Sequence, residues 1–293
     1  MKAFEIQGLY KRYPDFTLGP LDIDLEPGTV LGYIGPNGSG KSTTLHCMVG
    51  LVKADGGSVK IFGKENHPNK PAWKFDIGYV GDVHVFYENW SAAKNLKFLS
   101  QFYPDWSDNL AGELAKRFDI PLGKKAKELS SGNRVKLSLI SALSHKPRLL
   151  LLDEPTAGLD PVVRTEVLDT LFEILADGEH SIFYSTHILS DIGRLADELL
   201  FLNNGKIMQR TAKDDLTEKW RKISFRLAHS NGRINEVISH QTEGKDHRVI
   251  STDFEKTLVH LKNLGAENIL ENRMTIDEIA VEILRGAKNV DSV

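Results

Sequence analysis

Several things are scarce in this sequence, and each scarcity excludes something. Cysteine occurs once in 293 residues, as Cys47, so no internal disulfide forms and no thiolate zinc site is completed. Neither sign of charge dominates: 37 Lys and Arg stand against 40 Asp and Glu, a net charge of −3. Chains that grip nucleic acid or an anionic membrane by charge usually carry a clear Lys/Arg excess, so no nucleic-acid partner is expected. Long apolar runs are missing too. Stretches such as residues 149–152 and 199–202 fall far short of the ~20 residues that cross a bilayer as a helix. The opening segment MKAFEIQGLYKRYPDF is charged and has no apolar core of the secretory type. A cytoplasmic chain is expected, and any membrane role would rest on a separate polypeptide. There are no internal repeats or low-complexity tracts.

What is present suffices for a sizeable core: 41% of residues are hydrophobic, and the length suits one large domain or two moderate ones. Glycine and proline divide the chain. Residues 3–7 and 29–34 read as short strands, with turn signals at Gly19-Pro20 and Pro27-Gly28. The second strand meets a glycine-rich loop, after which Leu45, Met48 and Val49 set a helical pattern that Gly50 would stop. Strand-like runs return at 58–62 and 77–80. Helical spacing then prevails from about 91 to 145, in Leu96, Leu99, Phe102, Leu114 and Phe118, so a helical subdomain is inserted there. Residues 149–152 read as a buried strand, 161–175 as an amphipathic helix and 181–185 as another strand. The composition shifts again after Gly205, which places a main domain at 1–210 and a small α+β accessory region at 211–293. In that region Thr275 and Glu278 read as a capping box for a helix that Gly286 would end. His229, His240, His247 and His260 lie there at spacings that fit no short metal motif, so packed or solvated side chains are the better reading.

The sharpest chemical signal is the run Gly35, Pro36, Asn37, Gly38, Ser39, Gly40, Lys41, Ser42, followed by Thr43. It satisfies GxxxxGK[ST] between a predicted strand and a predicted helix. Glycines let successive backbone N–H groups converge on phosphate oxygens, and the helix adds its positive end. Lys41 would reach the β- and γ-phosphates, and Ser42 would give a hydroxyl to Mg²⁺. The run at 149–152 ends in Asp153-Glu154-Pro155. A buried parallel strand delivers Asp153 at its carboxyl end, where open α/β sheets bind ligands. Asp153 suits a water-mediated Mg²⁺ ligand, and Glu154 stands where it would polarise an attacking water. An apolar run ending in Asp-Glu is common by itself; paired with the phosphate loop it points to a nucleoside triphosphatase.

In this order the motifs resemble the ATP-binding subunits of ABC transporters over about residues 1–210. The family signature looks like Leu129-Ser130-Ser131-Gly132-Asn133, its D-loop like Ala157-Gly158-Leu159-Asp160, and its switch histidine like His187 in Ser-Thr-His. The resemblance implies a P-loop NTPase core with a mostly parallel sheet, an antiparallel β subdomain and the inserted helical subdomain. It implies ATP and Mg²⁺ as cofactors. It also implies a second ATPase subunit closing head to tail, so that Ser130 and Gly132 serve the nucleotide held mainly by the partner while Asp160 bridges the two. His187 would contact the γ-phosphate, with Lys41 and Glu154 as the other catalytic groups. Ser130 reads equally as a helix N-cap, and both roles are compatible because a helix N-terminus is an anion site. Tyr13 resembles the aromatic that stacks on adenine, with Tyr10 and Phe16 as competitors and a hairpin aromatic as the alternative.

Three positions depart from the pattern. Asp82 replaces the usual Gln in a segment that senses Mg²⁺ and the membrane partner, and it is shorter and anionic. Ser131 replaces Gly and Asn133 replaces Gln in the signature. Either subfamily drift or one weakened site of a heterodimer would account for them; drift is favoured because Lys41, Asp153, Glu154 and His187 are intact. Residues 84–90, from His84 through Phe86, Tyr87 and Trp90, occupy the region that in relatives receives a permease helix; filling of the local core is the competing reading. The resulting expectation is an ATPase, peripheral at the inner face of the cell membrane, that drives a separately encoded permease of the drug or antimicrobial-peptide exporter type. The alternatives are a soluble switch of the same superfamily acting on ribosomes or DNA, or a small-molecule kinase. The first relatives usually carry paired ATPase units or long coiled coils, both lacking here, and the second needs a phosphate acceptor.

Overall fold

Leu149, Leu150, Leu151 and Leu152 are fully shielded from water, which requires cover on both faces of the strand they form. The computed structural model describes residues 1–67, 69, 71–83, 85–176, 178–227 and 234–286. It divides into two compact units, Met1–Ile207 and Met208–Val293.

In chain order the first unit carries β1 (Phe4–Tyr13), β2 (Phe16–Leu25), β3 (Val30–Ile34), α1 (Lys41–Met48), β4 (Gly56–Ile61), β5 (Lys64–Glu65) and β6 (Ile77–Val80). There follow α2 (Ala92–Leu99), α3 (Asp108–Arg117), α4 (Ser131–Leu143), β7 (Leu149–Asp153), α5 (Pro161–Leu175), β8 (Ser181–Thr186), α6 (Leu189–Leu195) and β9 (Glu198–Asn203). The chain leaves this unit within β10 (Lys206–Ala212). It continues through α7 (Lys213–Lys219), β11 (Arg221–Arg226), β12 (Val237–Glu243), β13 (Asp246–Ser251), α8 (Phe254–Asn263), β14 (Glu267–Arg273) and α9 (Ile276–Gly286).

One sheet of the first unit is ordered β10-β9-β3-β8-β7-β6, and the β9, β3, β8, β7 and β6 pairings are parallel. In-register pairs such as Leu31 with Phe183 and Asp153 with Ser185 bring the carboxyl ends of β3, β7 and β8 to one edge. A second sheet, β2-β1-β4-β5, is antiparallel and shares a core with the first through Phe4, Tyr33 and Phe183. Phe183 stacks on Tyr33 with ring centroids 4.9 Å apart and tilts against Phe4 at 5.0 Å. The helices α2, α3 and α4 fall within the stretch read as helical. Ser91, Ser107 and Ser130 each cap one of them by accepting a backbone N–H with the side chain.

Gly19-Pro20, read as a turn signal, lies inside β2, and β1 runs to Tyr13 where a strand over residues 3–7 was expected. The β1–β2 register shifts on either side of Leu9, and Gly19, at φ +82°, packs there so closely that a Cβ would come within 2.1 Å of the Leu9 carbonyl oxygen. A bulge absorbs the dipeptide without breaking the pairing. Within β2, Leu21, Ile23 and Leu25 are buried in alternation.

The second unit has an antiparallel sheet, β12-β13-β11-β14, over a core of Ile223, Phe225, Leu227, Ile234, Val249 and Leu261. Thr275 and Glu278 form the expected reciprocal cap: the Thr275 N–H donates to Glu278 Oε2 at 3.0 Å, and the Glu278 N–H to Thr275 Oγ1 at 3.2 Å. His247 is buried, stacks on Phe225 and lies 2.9 Å, Nδ1 to Nε2, from His240. His229 lies outside the described residues.

Candidate functional site

The loop between β3 and α1 owes its shape to glycine. A Cβ on Gly35 would come within 2.4 Å of the Leu202 carbonyl oxygen, and Gly40 adopts φ +110°, a conformation side chains rarely reach. The loop therefore curls tightly against the sheet edge. Gly40 caps α1 with no side-chain hydrogen bond, so the first amides of the helix, from Lys41 through Thr43, have no intrahelical acceptor. Asn37, Gly38, Gly40, Lys41, Ser42 and Thr43 line a cavity of 400 Å³ together with Tyr13, Phe16, Asp82 and Glu154. Ser39 is buried behind it, and its hydroxyl has no hydrogen-bond partner. Pro36 is exposed on the loop. Unpaired amides at a helix N-terminus together with a buried ammonium form an anion cradle.

Lys41 is buried and fully engaged. Its ammonium donates to the carbonyl oxygens of Gly35 at 2.8 Å and Pro36 at 3.3 Å, and it faces Glu154 Oε1 at 3.2 Å. Glu154 follows β7 at φ +51°, a left-handed conformation costly for a side chain, and its N–H is tied to the Ser185 carbonyl at 3.0 Å. Its other oxygen, Oε2, lies 2.8 Å from His187 Nδ1 and accepts the His187 N–H at 3.3 Å. The carboxylate thus bridges the cradle lysine and the histidine that follows β8. Such a group can take a proton from water, and the imidazole is placed to hold its orientation.

Asp153 ends β7 wholly buried, with Oδ1 taking a hydrogen bond from Ser185 Oγ and Oδ2 left without a partner. Burial pushes its carboxyl above the usual range, opposed by the Ser185 and Ser42 hydroxyls, while the Asp82 charge adds to the rise. An unpaired buried carboxylate oxygen beside a hydroxyl and a second carboxylate is a hard-oxygen donor set, which fits Mg²⁺. His46, which the sequence reading passed over, is also there: one donor atom each of His46, Asp82 and Asp153 lie within 4.8 Å of one another.

Tyr13 and Phe16 both reach the cavity, stacked on each other with centroids 6.5 Å apart, and Tyr13 is 42% exposed. Tyr10 does not line it; that ring packs against Gly56 and the Arg12 guanidinium. Ser130, Gly132 and Asp160 are not among the cavity's lining residues either. Ser130 accepts the Asn133 N–H as the N-cap of α4, and Asp160 accepts the N–H groups of Val162 and Val163 as the N-cap of α5. Gly132 is buried, and a Cβ there would lie 3.2 Å from Val163. Of the aromatic segment after Asp82, Tyr87 and Trp90 stack at 4.3 Å against the edge of Phe98, held by Asn95, while Phe86 lines a separate apolar cavity. His84 lies outside the described residues.

Residues 18–157 match the ABC transporter family. The ABC transporter ATP-binding protein YtrB of Bacillus subtilis is 34% identical over 208 residues, 71% of each chain. The chain belongs to the ABC transporter ATP-binding family. The bacitracin transport ATP-binding protein BcrA of Bacillus licheniformis is 31% identical, over 89% of this chain and 86% of that one. A solved ATP-binding subunit of an ABC transporter superposes with a TM-score of 0.67 at 27% identity, covering 74% of this chain and 92% of that one. The fold is accordingly the P-loop NTPase core of ABC ATPases, and this ABC protein binds and hydrolyses ATP.

Proposed function

We propose that this ABC ATPase powers a separately encoded membrane permease, an exporter, through ATP-driven closure of a dimer. The observation that carries the reading is the meeting of Lys41, Glu154 and His187 beside the glycine loop, with Asp153 buried behind them. ATP lies with its phosphates against the loop amides and exchanges places with the Gly35 and Pro36 carbonyls as the partner of Lys41. Tyr13, with Phe16 behind it, receives the adenine. Ser42 and Asp153 would hold Mg²⁺, with Asp82 at the margin, and an ion bound there would neutralise phosphate charge. Released from Lys41, Glu154 accepts a proton from the water that attacks the γ-phosphorus as its bond to the bridging oxygen breaks and ADP leaves, while His187 steadies the carboxylate and then the γ-phosphate. Ser130, Gly132 and Asp160 serve the nucleotide of a second subunit, which agrees with the exposure of Ser130 and Asp160.

Support for a membrane partner comes from the second cavity, 400 Å³ and largely apolar, lined by Val49, Leu51, Trp73, Phe86 and Leu99, with Val83 and Val85 exposed at 71% and 86%. Large apolar side chains left in water mark interaction sites. Among the described residues no helix is long and apolar enough to cross a membrane, so the pore would belong to another chain. Relatives are named for bacitracin transport, daunorubicin resistance and fluoroquinolone export, which favours an exporter.

One preparation tests both halves. A tagged Glu154→Gln chain, purified from native membranes with ATP, should retain nucleotide, hydrolyse it at least ~10²-fold more slowly than the parent and bring down a polytopic membrane protein. Undiminished turnover refutes the role of Glu154. Recovery with ribosomes and no membrane protein refutes the permease.

A further inference from the structure

Two side chains that the nucleotide reading leaves without a settled role fall at one place. Asp82 stands where the family resemblance expects Gln, and His46 lies four residues beyond Ser42 on α1, on the same helix face. With Asp153 they bring donor atoms from a helix, a loop and a strand end to within 4.8 Å of one another. Asp153 is wholly buried and its Oδ2 has no hydrogen-bond partner, although Ser185 satisfies Oδ1. A buried carboxylate oxygen left unpaired is costly, and a cation supplies what it lacks. His46 is partly buried and meets the Tyr79 ring edge-on, centroids 6.4 Å apart at 77°, which restrains the imidazole. Two carboxyl groups and an imidazole offer a dication one ligand atom each.

The donor set also discriminates between dications. Mg²⁺ prefers oxygen donors and keeps its waters, whereas imidazole suits borderline first-row ions such as Co²⁺, Ni²⁺ and Zn²⁺. We propose that the nucleotide-free chain binds a divalent transition-metal ion on His46, Asp82 and Asp153, in preference to Mg²⁺. The inference rests on the preceding reading in one respect: Asp153, with Asp82 at its margin, is assigned there to the Mg²⁺ that accompanies ATP. A chain with Gln at position 82 and an apolar residue at 46 would have only Asp153 of this set.

The test is calorimetric titration of Co²⁺ into the full nucleotide-free chain with Mg²⁺ in excess. One equivalent should bind, and His46→Gln and Asp82→Asn should each weaken it at least about tenfold. His240→Ala, which breaks up the His240–His247 pair, should bind Co²⁺ as the parent does. Thermal unfolding midpoints show whether each variant is folded, and the two independent substitutions keep the result decisive if one of them is not. The proposal is overturned if the parent takes up no Co²⁺, if both site variants match the parent, or if excess Mg²⁺ displaces the ion. Binding of a fluorescent ATP analogue with Mg²⁺ to the parent is measured in parallel. Its failure would overturn the nucleotide reading and leave the Co²⁺ isotherm to decide this one.

Discussion

The Lys41 ammonium is occupied by two loop carbonyls and by Glu154, all from its own chain. Replacing Lys41 with Ala should then act twice. ATP loses a charge-assisted partner, and affinity by fluorescence titration should fall at least about tenfold, the equivalent of roughly 1.4 kcal/mol. Glu154 also loses the cation facing its buried Oε1, which should lower unfolding stability by about 1–3 kcal/mol in urea. Unchanged affinity would strike out the phosphate-loop assignment, whatever the stability change. Lys41 was legible because a phosphate cradle needs fixed chemistry at fixed spacing within eight consecutive positions, and Glu154 because it ends an apolar run paired with that loop. His46 was not, because nothing in its neighbours says that a helix face will carry it to the loop after β6 and the end of β7. Proximity across three separate elements is decided by the sheet order, not by local pattern.

At the scale of elements, local signals read well where one interaction dominated. The strand at 149–152, the helix Pro161–Leu175 and the Thr275 capping box were expected from periodicity and cap chemistry and are present. Strand β2 was hidden because Gly19-Pro20 carries the composition of a turn, and only the bulge opposite Leu9 lets a strand contain it. The caps Ser130 and Asp160 show a related ambiguity, since a side-chain oxygen at a helix start serves the helix whatever else it contacts. Thr275 lies outside the nucleotide site, so the cost of a cap can be read there without that overlap. Thr275→Ala should destabilise α9 by about 1 kcal/mol in chemical denaturation, and Thr275→Ser, which keeps the accepting oxygen, by clearly less. Equal losses for both would mean that the methyl group, not the cap, carries the effect.

For the molecule as a whole, each unit has its own core, and every residue of the candidate nucleotide site belongs to Met1–Ile207. Residues 211–293 were expected to act as a stabilising or regulatory region, and nucleotide binding separates these two roles. A ligand that binds only the folded state at a concentration of 100 Kd stabilises it by about 2.7 kcal/mol. That free energy suppresses the local openings of the segments that touch the ligand. With saturating ATP and Mg²⁺, amide hydrogen exchange should slow in peptides covering the β3–α1 loop, the end of β7 and the end of β8. Peptides from β11, β12, β13 and β14 should exchange at an unchanged rate if the second unit only adds stability of its own. A nucleotide-dependent slowing there, absent in Lys41→Ala, would instead mark that sheet as a reader of the ATP state and assign regulation to it.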